Sequence, residues 1–267
     1  MYDETVLAEI RAGLDKYGVL VIRNQPFKDD EQIQFTKRFD GTLHTQTGQA
    51  VLAKNRFGTE ALSDISNIGA NGEILPPNDR RRIGALANRL WHTDASFVDP
   101  SGRYSLLSAR YLPEINPDTQ FACMRSAYDA LDDVTKNQID GYTVHHSIVY
   151  SREKLGFIYT DEERKILKGA VHPLVRKLRN GRSSLYLAAH ASSISEMPLA
   201  EGRLLLSDLI EHSTQPHFVF NHSWQPNDLV IWDNRTTMHR ARPFDDKKYK
   251  RDLRRTTTLD IEHRPFD

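Results

Sequence analysis

From Trp91 to the C-terminus the chain is a succession of short β-like runs separated by turn residues, and this limits its fold more than any other feature. Asp228-Leu229-Val230-Ile231-Trp232 is a strongly apolar strand that stops at Asp233-Asn234. Between Phe218 and Trp224, Phe218, Phe220, His222 and Trp224 alternate with Val219, Asn221 and Ser223, the two-residue period of a strand. Leu185–Ala189 reads as a further strand. Arg254 to Ile261, rich in β-branched threonine, reads as the run that closes the sheet. The expected class is mainly β with flanking helices.

The helices fall outside these runs. Val6, Ile10 and Leu14 stand at helical spacing within residues 4–17, and Gly18 is the expected stop. A buried strand, Val19–Ile22, follows. Asp29 and Asp30 then suit the cap of a second helix reaching about Phe39. Residues 124–139 and 199–212 read as two more. Residues 41–87 have weak periodicity and several Gly, Asn and Pro residues, so long loops are expected there, broken by a short strand near Ser63–Ile68. Loops of that length often serve as lids or binding loops. At 267 residues, with no repeat or linker, 1–267 is read as one domain.

Thirty-six basic residues balance thirty-six acidic ones, so no global field favours nucleic acid or an anionic membrane. No stretch approaches the ~18 apolar residues of a membrane span. Cys123 is the only cysteine, which fits a reducing compartment, and the first residues lack the basic and apolar regions of a secretory signal. A cytoplasmic enzyme is the simplest expectation.

Trp91-His92-Thr93-Asp94 places two metal-ligand types two residues apart, and on a strand both would face one ion. His239 follows 145 residues after Asp94 (239 − 94), just beyond the Val230–Trp232 run. Two imidazoles and a carboxylate make the facial triad of non-haem iron oxygenases, although the same donors also serve hydrolytic zinc.

Leu90-Trp91-His92-Thr93-Asp94-Ala95-Ser96-Phe97, Asp118-Thr119, Trp232-Asp233-Asn234-Arg235 leading to His239-Arg240, and Arg251 to Arg255 before Thr256-Thr257 occur in this order. Together they closely resemble the taurine/2,4-dichlorophenoxyacetate dioxygenase family, nearest its 2,4-dichlorophenoxyacetate branch, from about Gly18 to Asp260. Asp64–Asn67, Met124–Leu131 and His190–Ser192 support the likeness.

The resemblance implies a double-stranded β-helix, or jelly-roll, core with helices packed outside. It implies Fe(II) held by His92, Asp94 and His239, and consumption of 2-oxoglutarate and O2. Thr119 and Arg251 match the positions that hold the distal carboxylate of 2-oxoglutarate, and Arg255 matches one near its C1 carboxylate and the substrate's acidic group. A guanidinium can grip a carboxylate through two parallel hydrogen bonds, which suits these roles. A solvated basic edge is the alternative reading of Arg251, Arg254 and Arg255, and the neighbouring Lys247, Lys248 and Lys250 leave the register open by one residue. Asn88, His146 and His190 match substrate-pocket positions, with a structural polar role as the alternative for each. Phe97 and Trp91 read as core packing.

The implied reaction hydroxylates a small carboxylate-bearing substrate and releases succinate and CO2. A carboxylate at Asp94 leaves no place for halide, so hydroxylation is expected rather than halogenation. With an aryloxyalkanoate, the hydroxylated carbon bears an ether oxygen and collapses to a phenol and a carbonyl compound. A sulfonate or N-substituted amino acid as substrate, a non-catalytic 2-oxo-acid sensor and a zinc hydrolase are the competing readings. A homo-oligomer is the family expectation. Family members usually carry a further β segment before the first helix, and this chain starts almost at that helix.

Overall fold

The computed structural model describes residues 3–39, 41–45, 56–115 and 117–261. Helix α1 (Glu4–Tyr17) starts where the Asp3 carboxylate accepts the Thr5 amide at 2.8 Å, and stops at Gly18 (φ 78°), in the left-handed region where glycine carries no Cβ penalty. The next strand, β1 (Val19–Ile22), is half-buried rather than buried, because it forms the edge of its sheet. Asp29 and Asp30 do not cap α2 (Asp29–Thr36) but are its first residues. Lys28 is the cap, its amide donating to the Glu31 carboxylate at 2.8 Å. The helix ends at Thr36, short of Phe39.

The 41–87 segment is more ordered than expected. It holds β2 (Ser63–Ser66), α3 (Arg80–Ala85) and a 3₁₀ turn over Leu86–Arg89. Asp79 nucleates α3 by accepting the Arg81 and Arg82 amides, a cap that weak periodicity conceals. Residues 46–55 of the expected lid lie outside the described residues.

Strands β3 (Gly102–Tyr111) and β4 (Thr119–Cys123) come next. The helix expected over 124–139 is two, α4 (Met124–Asp129) and α5 (Asp133–Ile139), because the Asp132 carboxylate accepts the Thr135 amide and starts a new helix. The middle of the chain contains β5 (Thr143–His146), α6 (Ile148–Glu153), α7 (Asp161–Ile166), β6 (Ala170–Pro173), β7 (Val175–Lys177), β8 (Ser183–Leu185) and β9 (Ala191–Ile194). The run expected as a strand at Leu185–Ala189 is strand only up to Leu185. Beyond it the Tyr186 amide bonds Leu174 and the Ala189 amide bonds Trp91, so no single neighbour is followed. Helix α8 (Leu199–Ser213) precedes β10 (Val219–His222), β11 (Leu229–Asp233), β12 (Thr237–Ala241) and β13 (Asp252–Leu259).

Five strands form an antiparallel sheet in the order β1-β11-β3-β13-β2, and three form a second in the order β10-β4-β12. The closing run, β13, lies inside the larger sheet, paired on both sides. Strand β11 shows why the two sheets stack. Val230 and Trp232 point inward with Leu107, Phe121, Trp224 and Leu253, while Leu229 and Ile231 meet Leu7, Leu14, Phe35 and Phe39 beneath α1 and α2. On the far side of the smaller sheet, Ala122 and Met238 pack with Met124, Leu206 and Leu209 of α4 and α8. Sheet on sheet with helices outside is the expected jelly-roll arrangement. On β12, and in the segment that bridges to it, lies a candidate metal-ligand set.

Candidate metal centre and its two chambers

His239 occupies the middle of β12, which pairs with β4 along one edge. Along its other edge β12 meets His92 in an isolated bridge, with His92 N donating to His239 O at 2.9 Å and His239 N to His92 O at 2.8 Å. The expected strand over 92–94 is therefore a single bridge followed by a turn, with Ala95 in the left-handed region (φ 52°). The turn carries Asp94 back toward the imidazoles, and its backbone presses on β3. A Cβ at Gly102 would lie 2.8 Å from Asp94 O, so only glycine fits there.

The ligand atoms of His92, Asp94 and His239 lie within 4.8 Å of one another, and all three residues are buried. His92 Nε2 is 3.9 Å from one Asp94 oxygen and His239 Nε2 is 3.7 Å from the other. His92 Nδ1 is bonded to Leu90 O at 2.8 Å, which commits that nitrogen and leaves Nε2 turned toward the carboxylate. Burial pushes both imidazoles below their usual value, Asp94 partly offsetting this at each. Burial alone would raise the Asp94 carboxyl, but Arg255, then His239 and His92, outweigh it and hold the group below the carboxylate range. Neutral imidazoles beside an ionised carboxylate are the protonation states a divalent metal requires. The donor set fits Fe(II). Ser105 Oγ donates to Asp94 Oδ2 at 2.8 Å and the Arg255 guanidinium to Oδ1, so the carboxylate is fixed in place.

Two chambers meet at Ile65, Asn88, His92 and Arg255. The first, about 930 Å³ with its mouth, is walled by Leu107, Thr119 and Trp232 of the sheets, by Arg251 just before β13, and by α3 and the 3₁₀ turn. Thr119 Oγ1 accepts from Trp224 Nε1 at 2.9 Å, which leaves the hydroxyl proton for another acceptor. Arg251 is buried between Trp224 and Phe244, each ring centre 6.0 Å from its guanidinium, and no carboxylate among the described residues pairs with it. Burial lowers it to about 10, still charged at neutral pH. It is not a solvated edge. Arg254 serves structure instead, paired with Asp29.

The second chamber, about 620 Å³, contains His44, Arg81, Phe97, Ile148, Arg152 and His190. Asn88 stands in the 3₁₀ turn at the junction. His190 lines this chamber with its ring 6.2 Å from that of His92. His146 does not. It is fully buried in β5 against His172 and Tyr186, one layer behind, because β5 bonds β6 and β9 rather than the β-helix. Phe97 packs against the core cluster of Ile148, Val149, Phe157 and Tyr159 as expected and also stands on the chamber wall, 5.2 Å from the His190 ring, and Trp91 packs with the core around α4 and α8. Arg152 and His44 carried no motif and were not anticipated.

The family model described as "Taurine catabolism dioxygenase TauD, TfdA family" matches residues 1–257. An alpha-ketoglutarate-dependent 2,4-dichlorophenoxyacetate dioxygenase of Burkholderia sp. (strain RASC) is 42% identical over 94% of this chain and 84% of its own. An (S)-phenoxypropionate/alpha-ketoglutarate-dioxygenase of Delftia acidovorans is 32% identical over 92% and 84%. Among solved structures, AAD-2 in complex with Mn(II) and N-oxalylglycine superposes with a TM-score of 0.87 at 43% identity, covering 96% of this chain and 88% of that one. With the jelly roll and the His-Asp-His set in place, these matches establish that the chain belongs to the TauD/TfdA dioxygenase family.

Proposed function

We propose that residues 1–267 form one Fe(II)- and 2-oxoglutarate-dependent dioxygenase domain that hydroxylates a small aryloxyalkanoate-like acid in the cytoplasm, releasing succinate and CO2. The observation that carries this reading is the pairing of the buried His92–Asp94–His239 set with an adjoining chamber that contains an ion-pair-free buried arginine, Arg251. A metal hydrolase has no use for that second feature. A bidentate 2-oxo acid does, because its distal carboxylate must be held away from the metal. The names of the relatives favour aryloxyalkanoates over sulfonates and N-substituted amino acids. Among the described residues no helix is long and apolar enough to cross a membrane.

His92, Asp94 and His239 hold the metal, which with O2 supplies the oxidation of 2-oxoglutarate and of the substrate C–H bond. Arg251 and Thr119 fix the far carboxylate of the cosubstrate by a charged grip and a hydroxyl hydrogen bond. Arg255 stays on Asp94 and keeps that ligand ionised and oriented. Asn88 and His190 face the substrate from the junction and from the second chamber, while His146 supports the wall behind His190. An ether-bearing carbon, once hydroxylated, expels the phenol without further help from the protein.

Succinate release from anaerobically Fe(II)-loaded protein, given O2, 2-oxoglutarate and a panel of phenoxyacetates, phenoxypropionates, taurine and N-acyl amino acids, tests this. Stimulation by the aryloxy acids, lost in His92→Ala, is the expected result. Absence of 2-oxoglutarate binding would sink the proposal.

A further inference from the structure

We infer that Arg152 is the anion anchor of the second chamber and takes the carboxylate of the substrate, an inference that rests on the function proposed above. The ionic accounts of the two chambers differ in one respect. Each opens onto the ligand set, and each contains a guanidinium, shielded from solvent, that no carboxylate among the described residues pairs with: Arg251 in the first, where Arg242 is also unpaired but exposed, and Arg152 in the second. Arg255, which touches both, is committed to Asp94. Arg81, the other cation of the second chamber, stands 3.9 Å from Asp64 and 3.8 Å from Asp79. Two anions can therefore be gripped in the two chambers that meet at the ligand set, one by each of these arginines.

The geometry around Arg152 is that of a held side chain. Ser151 Oγ has one proton and donates it to Ile148 O at 2.9 Å. Its lone pairs then accept from Arg152 at 3.0 Å and from His190 Nδ1 at 2.8 Å. The hydroxyl is saturated, so His190 carries its proton on Nδ1 and is left with an acceptor at Nε2. Burial, then Arg152 itself, keep this imidazole well below its usual value and hence neutral. One hydroxyl thus positions a cationic donor and a neutral acceptor side by side. Arg152 is itself lowered to about 10 by burial, so it is charged at neutral pH and only weakly screened.

The rest of the wall suits an aromatic body. Phe97, Ile148 and Ile65 provide apolar surface beside the cation. An aryloxyacetate needs this combination: a carboxylate grip, an apolar cleft for the ring, and an α-carbon one bond from the gripped group. Because His92 and Asp94 line the same chamber as Arg152, the carbon next to the gripped carboxylate is placed toward the ligand set.

The test uses protein loaded with Mn(II) and N-oxalylglycine, in which no turnover occurs, and reads equilibrium binding of phenoxyacetate and of neutral phenoxyacetamide by calorimetry. Wild type is expected to prefer the carboxylate. In Arg152→Gln the phenoxyacetate Kd rises by about 10- to 100-fold and the preference over the amide disappears, the loss expected for one charged hydrogen-bonding partner. N-oxalylglycine affinity is unchanged. Arg152→Lys recovers part of the preference, and Ser151→Ala weakens it without removing a charge, which separates anchoring from simple damage to the fold. Unchanged phenoxyacetate binding in a folded Arg152→Gln overturns the inference, as does loss of the preference in Arg255→Gln alone. Since binding is read without chemistry, failure of wild type to release succinate would strike the dioxygenase reading and leave this result standing.

Discussion

The two chambers are built from different material. The first has one wall cut into the β-helix, with Leu107 on β3, Thr119 on β4, Trp232 on β11, Ala241 on β12 and Arg251 at the entry to β13, and is closed by α3 and the 3₁₀ turn. Its polar groups are locked by ladder neighbours, as Thr119 is by its place in β4 and by the Trp224 indole. The second borrows its wall from short helices and turns, with His44, Arg81, Asn88, Phe97, Arg152 and His190 coming from six separate segments. Chemistry common to a family suits a wall whose geometry the sheet fixes. Discrimination among substrates suits a wall that can change one segment at a time without disturbing a hydrogen-bond ladder.

Removing the metal should abolish that contrast and give the largest effect. Asp94→Ala takes succinate release to background and eliminates Mn(II) binding in a metal-content assay, because it deletes a ligand and strands Arg255 beside it. Next come the crossed variants. Arg251→Gln is expected to raise the 2-oxoglutarate KM by about 10- to 100-fold while phenoxyacetate binding holds. Arg152→Gln does the reverse, and steady-state kinetics with each substrate varied in turn will show whether the two walls are independent. A common rise in both constants in either variant would break the comparison.

Trp224→Phe is a smaller probe. It removes the Nε1 donor to Thr119 and narrows the ring beside Arg251, for roughly a 2- to 10-fold rise in 2-oxoglutarate KM. The last effect is on stability. Burial lowers His44 to about 4, below its ordinary 6.5. A group depressed in the folded state is protonated first in the unfolded one, so its stabilising share is complete above about pH 6.5 and is lost as pH falls toward 4. His44→Gln should flatten the pH dependence of Tm between those limits by about one proton. An unaltered slope would mean that the turn leading to the second chamber opens before the fold does.

Strands declared themselves in the sequence where both faces were buried or where alternation was regular, as at Leu229–Trp232. They failed at 186–189, where the Tyr186 and Ala189 amides bond different segments and periodicity carries no information. Helix starts were missed where one carboxylate decided them, Asp79 for α3 and Asp132 for α5. The candidate metal-ligand set was legible because two histidines and an aspartate in that order leave few alternatives, although the turn at Ala95 that delivers Asp94 was not. His146 was misplaced for a related reason. Pattern puts it near the site, but only the pairing of β5 with β6 and β9 shows that it sits a layer behind. Arg152 had no signal at all, since an arginine in a short helix looks like any solvated one until the absence of a partner becomes visible.

The backbone bridge between His92 and His239 also constrains how the protein is made. Its two residues are 147 apart in sequence (239 − 92), and Arg255, which steadies Asp94, comes later still. A nascent chain carrying His92 and Asp94 alone has two of the three candidate ligands and no partner strand for them. The complete set of candidate ligands therefore exists only after β12 has emerged from the ribosome and docked beside His92.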